Sequence, residues 1–133
     1  MERLKPSQLP VPSESVEQQH LFQWAAVSAA VRWPKEMRML YHVPNEGKRS
    51  KANGARLKSE GLRAGVPDIN LDVARGEYHG LRIEMKRRRG GRGSPEQAAW
   101  LEALREQGYA AIVAYGWEEA ADAIEKYLRG DRI

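Results

Sequence analysis

Cysteine is missing from the chain altogether, so disulfides, a thiolate nucleophile and a cysteine-based zinc site are excluded. No apolar run approaches the roughly 20 residues that a helix needs to cross a bilayer, which argues against a membrane protein. A secretory leader is not expected either, because the first residues carry Pro6, Pro10 and Pro12 where a basic and then apolar pattern would stand. There is no internal repeat and no break in composition that would mark a second domain. The 133 residues, 41% of them hydrophobic, suffice for one modest core. We therefore expect a weakly structured tail over residues 1–12 and a single domain over residues 13–133.

Positive charge is present in excess, and it is placed unevenly. The net charge of +4 is modest. Yet Lys48, Arg49, Lys51, Arg56, Lys58 and Arg63 crowd one stretch, and Arg82, Lys86, Arg87, Arg88, Arg89 and Arg92 crowd another. Acids dominate the last third, with Glu96, Glu102, Glu106, Glu118, Glu119, Asp122 and Glu125. A molecule basic on one side and acidic on the other steers a polyanion, and each phosphate contact releases counterions. Either run alone could equally be a solvated face.

Between the two basic stretches lies a patterned segment. In Leu81-Arg82-Ile83-Glu84-Met85-Lys86 apolar residues alternate with charged ones, the period-two signature of a strand with one buried face. Glu84 and Lys86 then project from the same side. Ile69-Asn70-Leu71-Asp72-Val73 alternates likewise, and the turn-forming residues 75–80 between them predict an antiparallel hairpin. Burying the odd-numbered residues of both strands requires even positions to pair with even ones. A turn centred near Glu77 meets that condition, setting Asp68 about opposite Lys86 and Asn70 about opposite Glu84. Asp68 and Glu84 become neighbours on the face away from the core.

Two adjacent carboxylates repel unless a cation lies between them, and close carboxylates are the usual ligands of Mg2+ or Mn2+. Such an ion polarises a phosphoryl oxygen and lowers the pKa of its water, while a neighbouring lysine can orient that water and offset developing charge. Glu84 and Lys86 by themselves could also form a solvated ion pair.

The remaining elements follow in order. A helix is predicted from Ser13 or Ser15 to Arg32, stopped by Pro34, with Glu17, Leu21, Trp24 and Ser28 on an inward stripe. An inward Glu17 needs a partner, or simply favours the positive end of the helix dipole. Residues 39–43 read as a short strand ending in a turn over residues 44–47, where Asn45 could bond its own backbone or reach into a cleft. Residues 50–60 are compatible with a short basic helix weakened by Gly54, and residues 87–93 with a flexible basic loop that meets phosphates. Ser94-Pro95-Glu96-Gln97 opens a helix with an N-cap, a proline and a capping-box glutamine, and Gly108 ends it. Residues 110–115 suit the interior of a sheet, and residues 117–128 form a closing amphipathic helix. The order is α-β-(α)-β-β-α-β-α.

Pro67-Asp68 followed at hairpin distance by Glu84-Met85-Lys86 resembles the PD-(D/E)xK nuclease superfamily. With His42-Val43-Pro44-Asn45-Glu46-Gly47, Gly61-Leu62-Arg63-Ala64-Gly65-Val66 and Ser94-Pro95-Glu96-Gln97 before Trp100, the set resembles the VRR-NUC family of virus-type replication-repair nucleases. The resemblance implies an α/β fold of the restriction-endonuclease type, with a mixed central β-sheet flanked by helices. It further implies a Mg2+- or Mn2+-dependent deoxyribonuclease in which Glu17, Asp68, Glu84 and the Met85 carbonyl hold the metal. Lys86 would orient the attacking water and Gln97 would support the centre. Asn45, Lys48, Arg49, Lys51, Arg56, Lys58, Arg63, Arg87, Arg88, Arg89 and Arg92 become the candidate DNA contacts. Stand-alone relatives imply a homodimer resolving branched DNA such as four-way (Holliday) junctions, in the cytoplasm of a bacterium or a phage-infected host. Relatives fused to repair proteins imply a flap or end nuclease, and a non-catalytic DNA-binding module is the reading from another class.

Overall fold

In the computed structural model, residues 3, 5, 9–44 and 51–133 are described. Asn45, Lys48 and Arg49, the turn expected over 44–47 beyond Pro44, and half of the expected tail lie outside them.

Ser13 starts the first helix, its Oγ accepting the Val16 N–H at 3.2 Å. α1 (Glu14–Trp24) runs into a π-helical segment (Ala25–Ala29) and then α2 (Ala30–Arg32). The inward stripe is Glu17, Leu21, Ala25 and Ala29, not the expected Trp24 and Ser28, and Ser28 is exposed. The wider π turn accounts for the difference, since it keeps Ala25 and Ala29 in line where a regular helix would rotate them apart. Pro34 ends this run, as expected, and also opens α3 (Pro34–Met37), a short helix not anticipated.

β1 (Leu40–His42), β2 (Ile69–Leu71), β3 (Leu81–Lys86) and β4 (Ala110–Tyr115) form one mixed sheet in that order. The first three strands are antiparallel, and β4 returns parallel to β3 after α5 (Pro95–Glu106). α4 (Lys51–Ser59) lies between β1 and β2, and α6 (Trp117–Leu128) follows β4. Odd-numbered apolar side chains of the hairpin pack with Leu21, Ile124 and Tyr127 into the core, where the Tyr127 hydroxyl donates to the Val73 carbonyl.

Three expectations need correction. The hairpin has the expected parity but a register two residues away: Ile69 pairs with Ile83 and Leu71 with Leu81. Its turn is a two-residue loop closed by Arg75 and Tyr78, and between that bridge and the ladder residues 72–74 stand against only 79 and 80. The turn's centre, between Gly76 and Glu77, moves the register by one residue, and the extra residue moves it by the second, as a bulge does. The even-numbered face is not solvated, for Asn70, Glu84 and Lys86 are all buried. Finally, β4 is an edge strand rather than an interior one, with Tyr115 44% exposed.

Candidate active site

The two-residue change of register matters to the chemistry. Continuing the ladder one step past Ile69 and Ile83 sets Asp68 opposite Glu84, where Asp68 Oδ1 accepts the Met85 N–H at 2.9 Å. Glu84 and Lys86 share a side of β3, with Lys86 Nζ 3.6 Å from Glu84 Oε1. Relative exposures of 7% for Asp68, 2% for Glu84 and 5% for Lys86 exclude the solvated ion pair as an account of these residues.

Gln97 ties the group together. As the third residue of α5 it completes the capping box, its N–H donating to Ser94 Oγ at 3.2 Å and its Oε1 accepting the Ser94 N–H at 3.0 Å. The same Oε1 accepts from Lys86 Nζ at 2.7 Å, and Nε2 donates to Glu84 Oε1 at 2.8 Å. Capping and support of the site, which the residues alone left open, are one arrangement. Gly65 makes it possible. Its φ is +86°, and a Cβ there would lie 2.5 Å from the Glu96 carbonyl carbon and 2.7 Å from the Gln97 nitrogen. Only glycine lets the chain leading into Asp68 pass this close to the start of α5.

Glu17 is inward and fully buried, but its partner is Arg88. Arg88 Nε donates to Oε2 at 2.6 Å and Nη2 to Oε1 at 2.8 Å, while the Trp117 N–H reaches Oε1 at 3.3 Å. Arg88 Nη2 also lies 3.1 Å from Glu118 Oε1. The Arg88 hydrogen bond holds the Glu17 carboxyl below the usual range, against the opposing effect of burial. The two carboxylates in turn hold the Arg88 proton more firmly than usual. Among the described residues no third histidine or acid joins Asp68 and Glu84 in a metal-sized group. In this structure Glu17, expected among the metal ligands, is paired with Arg88, and Arg88, expected among the DNA contacts, is exposed and holds Glu17 and Glu118.

Two clefts open on the acids. One, of about 150 Å³, is lined by Glu14, Ser15, Gln18, His42, Pro44 and Asp68. His42 Nδ1 stands 3.2 Å from the Asp68 carbonyl oxygen. Glu14 is therefore the α1 carboxylate that shares a cleft with Asp68, a residue the sequence reading passed over. The signal was available, since Glu14 and Gln18 lie one turn apart beside the stripe that carries Glu17. The larger cleft, about 550 Å³, has Asp68, Glu84 and Gln97 in its wall and α4 along one side.

The family model of the VRR-NUC domain matches residues 12–118. The chain belongs to the VRR-NUC family. A solved structure of a "VRR_NUC domain protein" is similar over 92% of this chain and 93% of that one, with a TM-score of 0.77 and 30% identity. No curated protein matches. The mixed sheet flanked by helices is the fold of this VRR-NUC domain, and nuclease-type DNA processing is the class of work it belongs to.

The residues of the VRR-NUC site suit a divalent ion. Two buried carboxylates outnumber the single ammonium beside them, and Mg2+ is commonly held by one or two carboxylates, with water and substrate phosphate completing its shell. Around the site Arg87, Arg89 and Arg92 are exposed on the loop between β3 and α5, and Arg63 is exposed before Asp68. Lys51 and Lys58 line the larger cleft, whereas Arg56 turns to Asn53 and Glu60 on the other face of α4. No helix among the described residues is long and apolar enough to cross a membrane.

Proposed function

We propose that this VRR-NUC domain is a Mg2+- or Mn2+-dependent endonuclease hydrolysing phosphodiester bonds in branched DNA, with the four-way junction as substrate. The observation that carries the reading is Gln97, which fixes Lys86 to Glu84 beside Asp68 at the wall of an open cleft. Burying charged groups is costly, and a DNA-binding scaffold has no use for an ammonium and two carboxylates so arranged. Asp68, Glu84 and the Met85 carbonyl would hold the ion, with Glu14 rather than Glu17 supplying a carboxylate from α1. When bound, the ion polarises a phosphoryl oxygen and makes a water acidic enough to serve as nucleophile.

The chain's own residues do the rest. Gln97 holds the Lys86 ammonium at one position, so that it orients the water and meets the negative charge that develops during in-line displacement. Arg87, Arg89 and Arg92 hold the DNA backbone. Cutting two strands of a junction symmetrically requires two sites, and a homodimer supplies them as two copies of the Asp68, Glu84 and Lys86 cluster.

The test is cleavage of a labelled four-way junction, a flap, a linear duplex and a single strand, each with Mg2+, Mn2+ or EDTA. Metal-dependent junction cutting is expected, and Lys86→Ala should lower its rate by about a hundred- to a thousandfold while leaving DNA binding intact. Binding without cutting under either metal would instead identify a non-catalytic module. Preferential cutting of flaps by a species that sediments as a monomer would identify a flap or end nuclease.

A further inference from the structure

One face of α4 lines the larger cleft. Lys51, Gly54, Ala55 and Lys58 recur at i, i+3, i+4 and i+7, and all four line the cleft of about 550 Å³ that reaches Asp68 and Glu84. Glycine inside a helix costs stability relative to alanine. Among the described residues nothing requires it at position 54, where φ is not positive and an added Cβ meets no described atom within 4 Å. The space beside Gly54 and Ala55 is therefore open to a close approach by a ligand.

The chemistry of that ligand can be read from the walls. Neither Lys51 nor Lys58 forms an ion pair among the described residues, in contrast to Arg56 on the opposite face with Glu60 at 3.5 Å. Seven residues separate the two lysines, about 10 Å along the helix axis, which lets them hold neighbouring phosphates of one strand. The same cleft is also lined by Leu62, Ala64 and Val66, aliphatic side chains suited to the face of a base. A cleft of this volume is the size of a small-ligand pocket and admits a nucleotide, not a paired duplex.

We infer that α4 and the segment leading to Asp68 seat a single unpaired nucleotide next to the scissile phosphate, so that cutting is directed to a base out of its stack at the branch point. This deepens the nuclease reading and rests on it for the identity of the ligand as DNA. Extrusion is least costly where pairing is already broken, which favours branched over linear DNA without any reading of sequence.

The experiment uses the full chain with a four-way junction carrying 2-aminopurine at successive positions around the crossover, in EDTA so that no strand is cut. The fluorescence of this base is quenched by stacking. In an aliphatic seat it should rise several-fold at one position when the wild-type protein binds. Gly54→Leu, whose side chain would fill the space, should abolish the rise and slow metal-dependent cutting by roughly a hundredfold. Where that variant does not fold by circular dichroism, Ala55→Leu carries the same expectation. No rise at any position with bound wild-type protein would overturn the seat, as would an undiminished rise in a folded variant. The two readings separate cleanly. A rise without cutting under Mg2+ or Mn2+ would retain the seat and remove the nuclease, and cutting without a rise would do the reverse.

Discussion

Glu17 and Arg88 are unequal partners, and the inequality can be measured. Glu17 is wholly buried, whereas the Arg88 side chain is 38% exposed and has Glu118 as a second partner. Removing the arginine leaves a buried carboxylate with the Trp117 N–H but no cation, whereas removing the carboxylate frees an arginine to turn towards water and Glu118. Arg88→Ala should therefore destabilise by about 3 kcal/mol in urea unfolding at neutral pH, and Glu17→Gln by distinctly less. The pH dependence has a definite sign. In the native protein the folded pKa of Glu17 is depressed, so its contribution is present above the unfolded value and lost as pH falls through the folded one. In Arg88→Ala burial dominates and raises the folded pKa, so protonation relieves the variant. The stability gap between the two proteins should narrow on acidification, and a gap that widens would mean that Glu17 is not charged in the native fold. Glu84→Ala makes a different claim: it should fold yet lose Mn2+ affinity, and unchanged binding in a calorimetric titration would remove Glu84 from the site.

At the scale of elements, two glycines with opposite reasons make opposite predictions. Gly65→Ala puts a Cβ into the backbone of α5 at a positive φ, so it should cost about 2–3 kcal/mol and pull Gln97 away from Lys86, lowering both the melting temperature and the cleavage rate. Gly54→Ala meets nothing and should raise stability by about 0.5–1 kcal/mol in chemical denaturation. The elements themselves were largely legible: β4 falls on its apolar run and α6 on the residues its periodicity marked, although the run did not reveal that β4 lies at the edge. Parity of the hairpin was legible from its alternation. Its register was not, since it depends on where the two-residue turn falls and on one extra residue in 72–74, neither of which alternation records. Periodicity likewise turned Glu17 inward but could not name Arg88, which lies 71 residues away and arrives only through the folding of α1 against the loop after β3. The proximity of Asp68, Glu84 and Lys86 was readable because hairpin partners are close in sequence, whereas Glu14 and His42 reach Asp68 across separate elements.

For the whole molecule, the uneven charge seen along the chain becomes a division of labour in space. Acids of α6 do not merely repel a polyanion, for Glu118 with Glu17 consumes the charge of Arg88, whereas Arg87, Arg89 and Arg92 are exposed and form no ion pair among the described residues. Counterion release makes this testable, because the slope of log affinity against log salt falls by about one for each phosphate contact removed. Arg87→Ala, Arg89→Ala and Arg92→Ala should each flatten the salt dependence of junction binding by about that amount in fluorescence titrations. Arg88→Ala should leave the slope nearly unchanged even as it weakens the fold, since an arginine held by two carboxylates has no phosphate to give up. Were Arg88→Ala to flatten the slope as much as its neighbours, the clamp would have to open on DNA, and Glu17 would be released towards the metal site after all.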